Sequence, residues 1–285
     1  MQFHNQKGTY TSIDDCAGLK KMPILKLKEL DLNYRLSGNG SPILVIHGLG
    51  GDNTSWEFVE PILSKHYQMI LPDLRCHGKS GCPEGIRPPS EFAEDLALLV
   101  RHLGHSKLPV MGISLGGLVV QQLVIDFPDL FNAAILVDTT ARITEHIMDM
   151  VYTWREIQVE EGDEAYWRKS TADGVSAEYI KNNPERMEYL RQKFLSAEPT
   201  DLAAAALGFV NFDSVESLKQ LKMPVLIIHG GKDKLMPPEY AHLLHDSIPD
   251  SRLEIIPGVG HSSDLEAPEQ ISHLVMEFIQ QQSSS

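Results

Sequence analysis

The stretch VMGISLGG at residues 110–117 constrains this chain more than any other. It is a G-x-S-x-G pattern placed directly after a short apolar run, which describes a strand that turns sharply into a helix with Ser114 at the apex. Such a turn holds its central residue in a strained backbone conformation, so the positions two away on either side must lack bulky side chains. Gly112 and Gly116 meet that requirement, and Gly117 lets the following helix approach the sheet. Residues 118–125, LVVQQLVI, are apolar enough to form that helix in a buried position. Its N-terminus favours negative charge developing at Ser114.

The rest of the chain supplies a frame for this turn. Residues 24–36 alternate apolar and polar like a half-buried strand pair, and ILVI at 43–46 is a continuous run of the kind a parallel strand buried on both faces needs. Further strands are expected at 68–72, 133–138, 225–230 and 252–256. Helices are expected at 55–66, at 90–103 with Ser90 as its cap, and at 267–281. Strands alternating with helices predict an α/β fold: a mostly parallel central sheet flanked by helices. Residues 141–222 break the rhythm, with helical stretches at 143–161, 184–195 and 201–209 and no strand-like run. The expected organisation is an N-terminal arm at 1–22, an α/β core made of 23–140 and 223–285, and an inserted helical cap at 141–222.

A length of 285 residues with 42% hydrophobic and 22% charged content suits a soluble globular protein with a sizeable core. The net charge of −14 argues against nucleic acid or an anionic membrane surface as partner. Residues 1–22 are polar, without the apolar core of a signal peptide, and no run is long enough to span a membrane. Three cysteines, Cys16, Cys76 and Cys82, are too few and scattered for a disulfide framework, and no metal-ligand spacing is present. A cytoplasmic, reduced setting, a small-molecule partner and no metal are expected, and a homodimer is compatible with all of this.

A nucleophilic serine needs a base, and the base needs an orienting carboxylate. Along a chain of this kind the order is Ser, acid, His. His261 ends PGVGH at 257–261, a Gly-rich loop just past the last expected strand, and Asp233 ends HGGKD at 229–233, after the strand before it. Ser114, Asp233 and His261 thus all fall at C-terminal ends of strands, where open α/β sheets gather their ligands. Asp138 also follows a strand and is the rival acid, but the GGKD loop matches the acid's usual position better. Asp264 reads instead as a cap for the final helix. Candidate oxyanion donors are the backbone N–H of Leu115, next after Ser114, and that of Leu49 in HGLGG at 47–51. His47 and His229 read as structural. In the loop DLRCHGKS at 73–80, Asp73 and Arg75 are expected to pair, with Cys76 a small residue in a tight turn.

Together these segments resemble the α/β-hydrolase superfamily, from about residue 24 to 282. The motifs carrying the resemblance are HGLGG at 47–51, DLRCHGKS at 73–80, GISLGG at 112–117, GGKD at 230–233 and GVGH at 258–261. The resemblance implies a Ser-Asp-His triad and no cofactor. The short cap and VDTTARI at 137–143 are similar to the 3-oxoadipate enol-lactonase and small carboxylesterase group. One departure is Cys76, where the family usually has Gly. Dehalogenases and epoxide hydrolases of this fold carry Asp at the elbow, where this chain has Ser114; carbon–carbon bond hydrolases often carry Asn where it has Ile113.

The expected activity is therefore hydrolysis of a carboxylic ester or lactone through an acyl-enzyme on Ser114. Alternatives are an enol-lactonase-like or carbon–carbon bond hydrolase, and a non-catalytic ligand-binding protein of the same fold. Arg142, just past a strand end, is the candidate to pair with the free carboxylate of an enol-lactone, a solvated arginine being the other reading. Trp56 and Trp154 are candidates for lining the pocket. Met148, Met150, Phe194, Phe209 and Phe212 are expected to help roof it, some of them forming the cap's own core.

Overall fold

The structure, a computed structural model, describes residues 23–197 and 202–283. The expected arm at 1–22 and the first residue of the helix expected from 201 lie outside the described residues. Two antiparallel strands, β1 (Ile24–Lys26) and β2 (Asp31–Ser37), open the fold. β3 (Ser41–Ile46), the one-turn helix α1 (Glu60–Leu63) and β4 (Tyr67–Pro72) follow. Helix α2 (Pro89–His102) leads to β5 (Leu108–Ile113), which turns into α3 (Leu115–Asp126), and then β6 (Phe131–Val137). Six helices come next among the described residues: α4 (Glu145–Glu161), α5 (Asp163–Gly174), α6 (Ala177–Asn182), α7 (Pro184–Ser196), α8 (Leu202–Leu207) and α9 (Val215–Leu218). The strand pattern resumes with β7 (Val225–Gly230), followed by α10 (Glu239–Ser247), β8 (Ser251–Ile256), α11 (Ser263–Glu266) and α12 (Pro268–Ser283).

The strands form one eight-stranded sheet in the order β1-β2-β4-β3-β5-β6-β7-β8, with β5 near its middle. From β4 to β8 all pairings are parallel; β2 runs antiparallel to both of its neighbours. Side chains alternate across a strand, so the apolar runs feed two cores at once. Leu44 and Ile46 of β3, with Val110 of β5 and Ile227 of β7, pack beneath α2, α3 and α10. Ile43 and Val45, with Met111 and Ile228, pack on the other face beneath α1 and α12. Among the described residues, no helix is long and apolar enough to cross a membrane.

Three local expectations need correction. Pro88, not Ser90, is the N-cap of α2, with Pro89 in its first turn, where the missing N–H costs nothing. Arg75 does not pair with Asp73: it reaches across to Asp95 (2.8 Å) and to Glu91 on α2. Asp73 instead accepts from the side chain of Asn33 and the N–H groups of Asn53 and Lys79, tying three loops together. Cys76 does lie in a turn, but the reduced setting expected for the cysteines does not hold for it, because it is disulfide-bonded to Cys82. The loop folds back so that the Cys76 N–H donates to the Gly81 carbonyl, bringing the two Cα atoms to 4.1 Å. Cys76 itself has φ of 62°, the left-handed region where glycine is the usual occupant.

Candidate active site

β5 ends at Ile113 and α3 begins at Leu115, leaving Ser114 alone at the turn with φ 54° and ψ −118°. The surroundings enforce this strained conformation. The Ser114 N–H donates to the Val137 carbonyl on β6, and its own carbonyl accepts from the Gly117 N–H and the Thr139 hydroxyl, each at 2.9 Å. Close approach of backbone explains the flanking glycines: a Cβ on Gly116 would sit 2.5 Å from the His47 carbonyl oxygen, and one on Gly112 would sit 2.4 Å from that of Gly116.

Ser114, His261 and Asp233, far apart in sequence, meet in an unbroken chain of hydrogen bonds. The Ser114 Oγ lies 2.9 Å from His261 Nε2, and His261 Nδ1 lies 2.7 Å from Asp233 Oδ2. A carboxylate only accepts, so Nδ1 carries the proton and Nε2 is free to accept from the serine hydroxyl. The other oxygen of Asp233 accepts from the Met236 N–H at 2.8 Å. Burial opposes charge on His261, but Asp233 beside it, with Asp138 and Asp264 further off, raises its pKa above the ordinary imidazole value. The His261 loop is tied to the inserted helices: the Gly174 carbonyl at the end of α5 accepts from the N–H groups of His261 and Ser262 at 2.7 and 3.1 Å. Glu266 accepts from the N–H groups of Gly260 and Ser176, both at 3.0 Å.

Asp138 is not hydrogen-bonded to His261. Its carboxylate accepts from the Gly230 N–H at the end of β7 and from the Ser263 N–H and hydroxyl, joining β6, β7 and the His261 loop. Burial, reinforced by the charge of Asp233, pushes its pKa well above the usual carboxylate range. Asp138, His229 and Asp233 bring metal-ligand types of atom within 4.8 Å of one another. The Asp138 and Asp233 carboxylates are already committed to hydrogen bonds, however, and His229 Nε2, 2.6 Å from the Met236 carbonyl, carries a proton; His229 Nδ1 is buried with no hydrogen-bond partner among the described residues. His47 accepts from the Leu74 N–H through Nε2 and donates through Nδ1 to the Gly48 carbonyl, and burial lowers its pKa to about 4. A histidine kept neutral and doubly bonded in this way orients the 47–51 loop.

Ser114 and His261 open onto a cavity of about 400 Å³. Leu49 and Leu115 line it too; Leu115 is the first residue of α3, so its N–H has no acceptor within the helix. The walls come from α4, α5 and α7 as well as the sheet ends, with Met148, Trp154, Trp167 and Phe194 among them. The Trp154 indole N–H donates to Asp173 at 2.8 Å, which leaves its ring as an apolar wall.

Two expected substrate contacts are not at the cavity. Trp56 is 1% exposed and packs into the core beneath α1 and α12. Arg142 points to solvent and pairs with Asp213 at 2.7 Å, on the short bridge where the chain enters and leaves the inserted helices. Phe212 likewise belongs to the core under α3 rather than to the cavity. Asp264, expected to cap the final helix, lies in α11 and lines the cavity. Its position three residues past His261, on a loop already marked as part of the site, was the available signal.

The chain belongs to the alpha/beta hydrolase fold family, whose sequence model matches residues 41–268, and on that membership it is a hydrolase. It is 32% identical to a thermophilic esterase from Thermogutta terrifontis, solved with malate bound; the match covers 89% of this chain and 94% of that one, with a TM-score of 0.80. It is 27% identical to 3-oxoadipate enol-lactonase 2 of Acinetobacter baylyi over 88% of this chain and 94% of the relative. It is also 27% identical to a 2-hydroxy-6-oxo-6-(2'-aminophenyl)hexa-2,4-dienoic acid hydrolase of Metapseudomonas resinovorans, over 88% of each.

Proposed function

We propose that this protein hydrolyses a carboxylic ester or lactone through an acyl-enzyme on Ser114. The carrying observation is the chain from Ser114 Oγ through His261 to Asp233, at 2.9 and 2.7 Å, opening onto a largely apolar cavity. His261 takes the serine proton as Oγ attacks the carbonyl, and Asp233 holds the imidazole in the tautomer that can accept it. The amides of Leu49 and Leu115 stabilise the tetrahedral oxyanion, a contribution of roughly 3–4 kcal/mol per donor in acyl-transfer sites. His261 then returns the proton to the leaving alkoxide and activates the water that releases the acyl group. Residues 141–222 act as a cap over this reaction, and the names of the esterase and enol-lactonase relatives support the bond type.

Ser114→Ala tests the reading, with release of p-nitrophenol from acetate, butyrate and octanoate esters as the assay. Turnover is expected to fall by about 10⁴-fold or more, with the thermal unfolding curve kept. A fluorophosphonate is expected to label wild-type Ser114. Full activity in the variant would end this account, and an unlabelled, inactive wild type would favour a binding protein. His261 must be neutral to act as base, and its pKa is raised, so kcat/KM should rise with pH through an apparent value above 6.5.

A further inference from the structure

The cavity walls are mostly apolar, and the few charges on them are unbalanced. Among the described residues, the carboxylates lining the cavity are Asp52, Glu57 and Asp264, against a single cation from Lys or Arg, Lys193. That cation is already engaged, since Lys193 Nζ lies 2.7 Å from the Glu57 carboxylate. Asp52 accepts from the N–H and hydroxyl of Thr54 at 2.7 and 2.6 Å, neutral donors that leave its charge in place. Asp264 lies closest in sequence to the reacting groups. Burial pushes its pKa up to about 6, so at neutral pH most of it is ionised, and it is near enough to His261 for the two to interact electrostatically. Among the described residues it has no ion-pair partner.

We infer that Asp264 is a specificity-determining residue whose uncompensated carboxylate makes the Ser114 site select neutral or cationic acyl groups over acyl groups bearing a free carboxylate. The inference rests on the serine-hydrolase reading and narrows its substrate class. Inside an apolar cavity a fixed charge is weakly screened by water and salt, so it repels a second anion more strongly than a surface charge does. A bound carboxylate would need its own cation. Lys193 is paired with Glu57, and Arg142 is held away from the cavity by Asp213. A neutral alkyl chain instead meets the aliphatic and aromatic walls, and an ammonium gains both the Asp264 field and the aromatic faces.

The test uses the full-length chain at neutral pH and three p-nitrophenyl esters of near-equal length: heptanoate, hydrogen adipate and 6-(trimethylammonio)hexanoate. Background release is taken from Ser114→Ala. In the wild type, kcat/KM for the adipate monoester should be about tenfold or more below that for the heptanoate, and the cationic ester should match or exceed the heptanoate. A tenfold gap is about 1.4 kcal/mol of discrimination. In Asp264→Asn, which keeps the side chain's shape and removes its charge, the adipate-to-heptanoate ratio should rise by about tenfold. Malate, as a free dicarboxylate, should compete poorly in the wild type. Equal turnover of adipate and heptanoate esters by the wild type overturns the inference. So does a ratio left unchanged in both Asp264→Asn and Asp264→Ser. If neither variant folds, the wild-type ranking of the three esters still decides. Failure of the underlying reading looks different: no ester is turned over and Ser114 takes no fluorophosphonate label.

Discussion

β7, which leads into the loop carrying Asp233, and α7, which lines the cavity, are built on opposite terms. All six residues of β7 are buried, whereas of the thirteen residues of α7 only Met187 is. β7 draws its order from two apolar cores at once, because successive side chains enter opposite faces of the sheet. α7 is anchored by a thin apolar edge and by exposed pairs such as Arg191 with Glu164 and Glu188, each of which adds little. The proposed reacting groups follow the first pattern. Ser114, Asp233 and His261 stand at the ends of β5, β7 and β8, where a rigid sheet can hold hydrogen-bond geometry to a fraction of an ångström. The walls follow the second, since an apolar wall needs shape and not exact placement.

The contrast is broken most severely at the elbow. Gly116→Ala would drive a Cβ to 2.5 Å from the His47 carbonyl and 2.6 Å from that of Ile46, backbone atoms that cannot rotate away. A loss of about 4 kcal/mol or more is expected in denaturant unfolding. A loss under about 1 kcal/mol would show that the sheet end yields, and would undercut the rigidity assigned to it.

Two methionines sharpen the comparison with matched chemistry. Met69 on β4 is 0% exposed in the core, and Met187 on α7 is 9% exposed and lines the cavity. Met69→Ala should cost about 3 kcal/mol, within the range for buried methionines, and leave the order of ester preference intact. Met187→Ala should cost about 1 kcal/mol and shift the acyl-length preference. Equal costs would erase the distinction between the two regions.

The smallest effect is expected at Arg142. Its pair with Asp213 is half exposed on both sides, so Arg142→Ala should change stability by no more than about 0.5 kcal/mol. The ratio of anionic to neutral ester turnover should stay as in the wild type. A selective loss on anionic esters would return Arg142 to the substrate.

Much of the site was legible because its parts are local. G-x-S-x-G, the GGKD loop and the GVGH loop each combine an apolar strand with a glycine turn, and parallel strands put their C-terminal ends on one edge. Trp56 lies in a turn and Trp154 in the middle of α4, and nothing in their sequence neighbours separates a core ring from a cavity wall. Arg75 passes over Asp73, two residues away, for Asp95, twenty residues on, because α2 packs where the loop can reach it. Cys76 and Cys82 are bonded because the intervening loop closes on itself, which cysteine counting does not register.

What the sequence alone determined, then, was the order of strands and helices and the positions where a glycine turn ends a buried run, both set by hydrophobic period and backbone sterics over a few residues. Tertiary structure alone decided which charges meet. Arg142 went to Asp213, Lys193 to Glu57, and Asp264 to the cavity without a cation, because charge pairing depends on distances between elements that no short window of sequence contains.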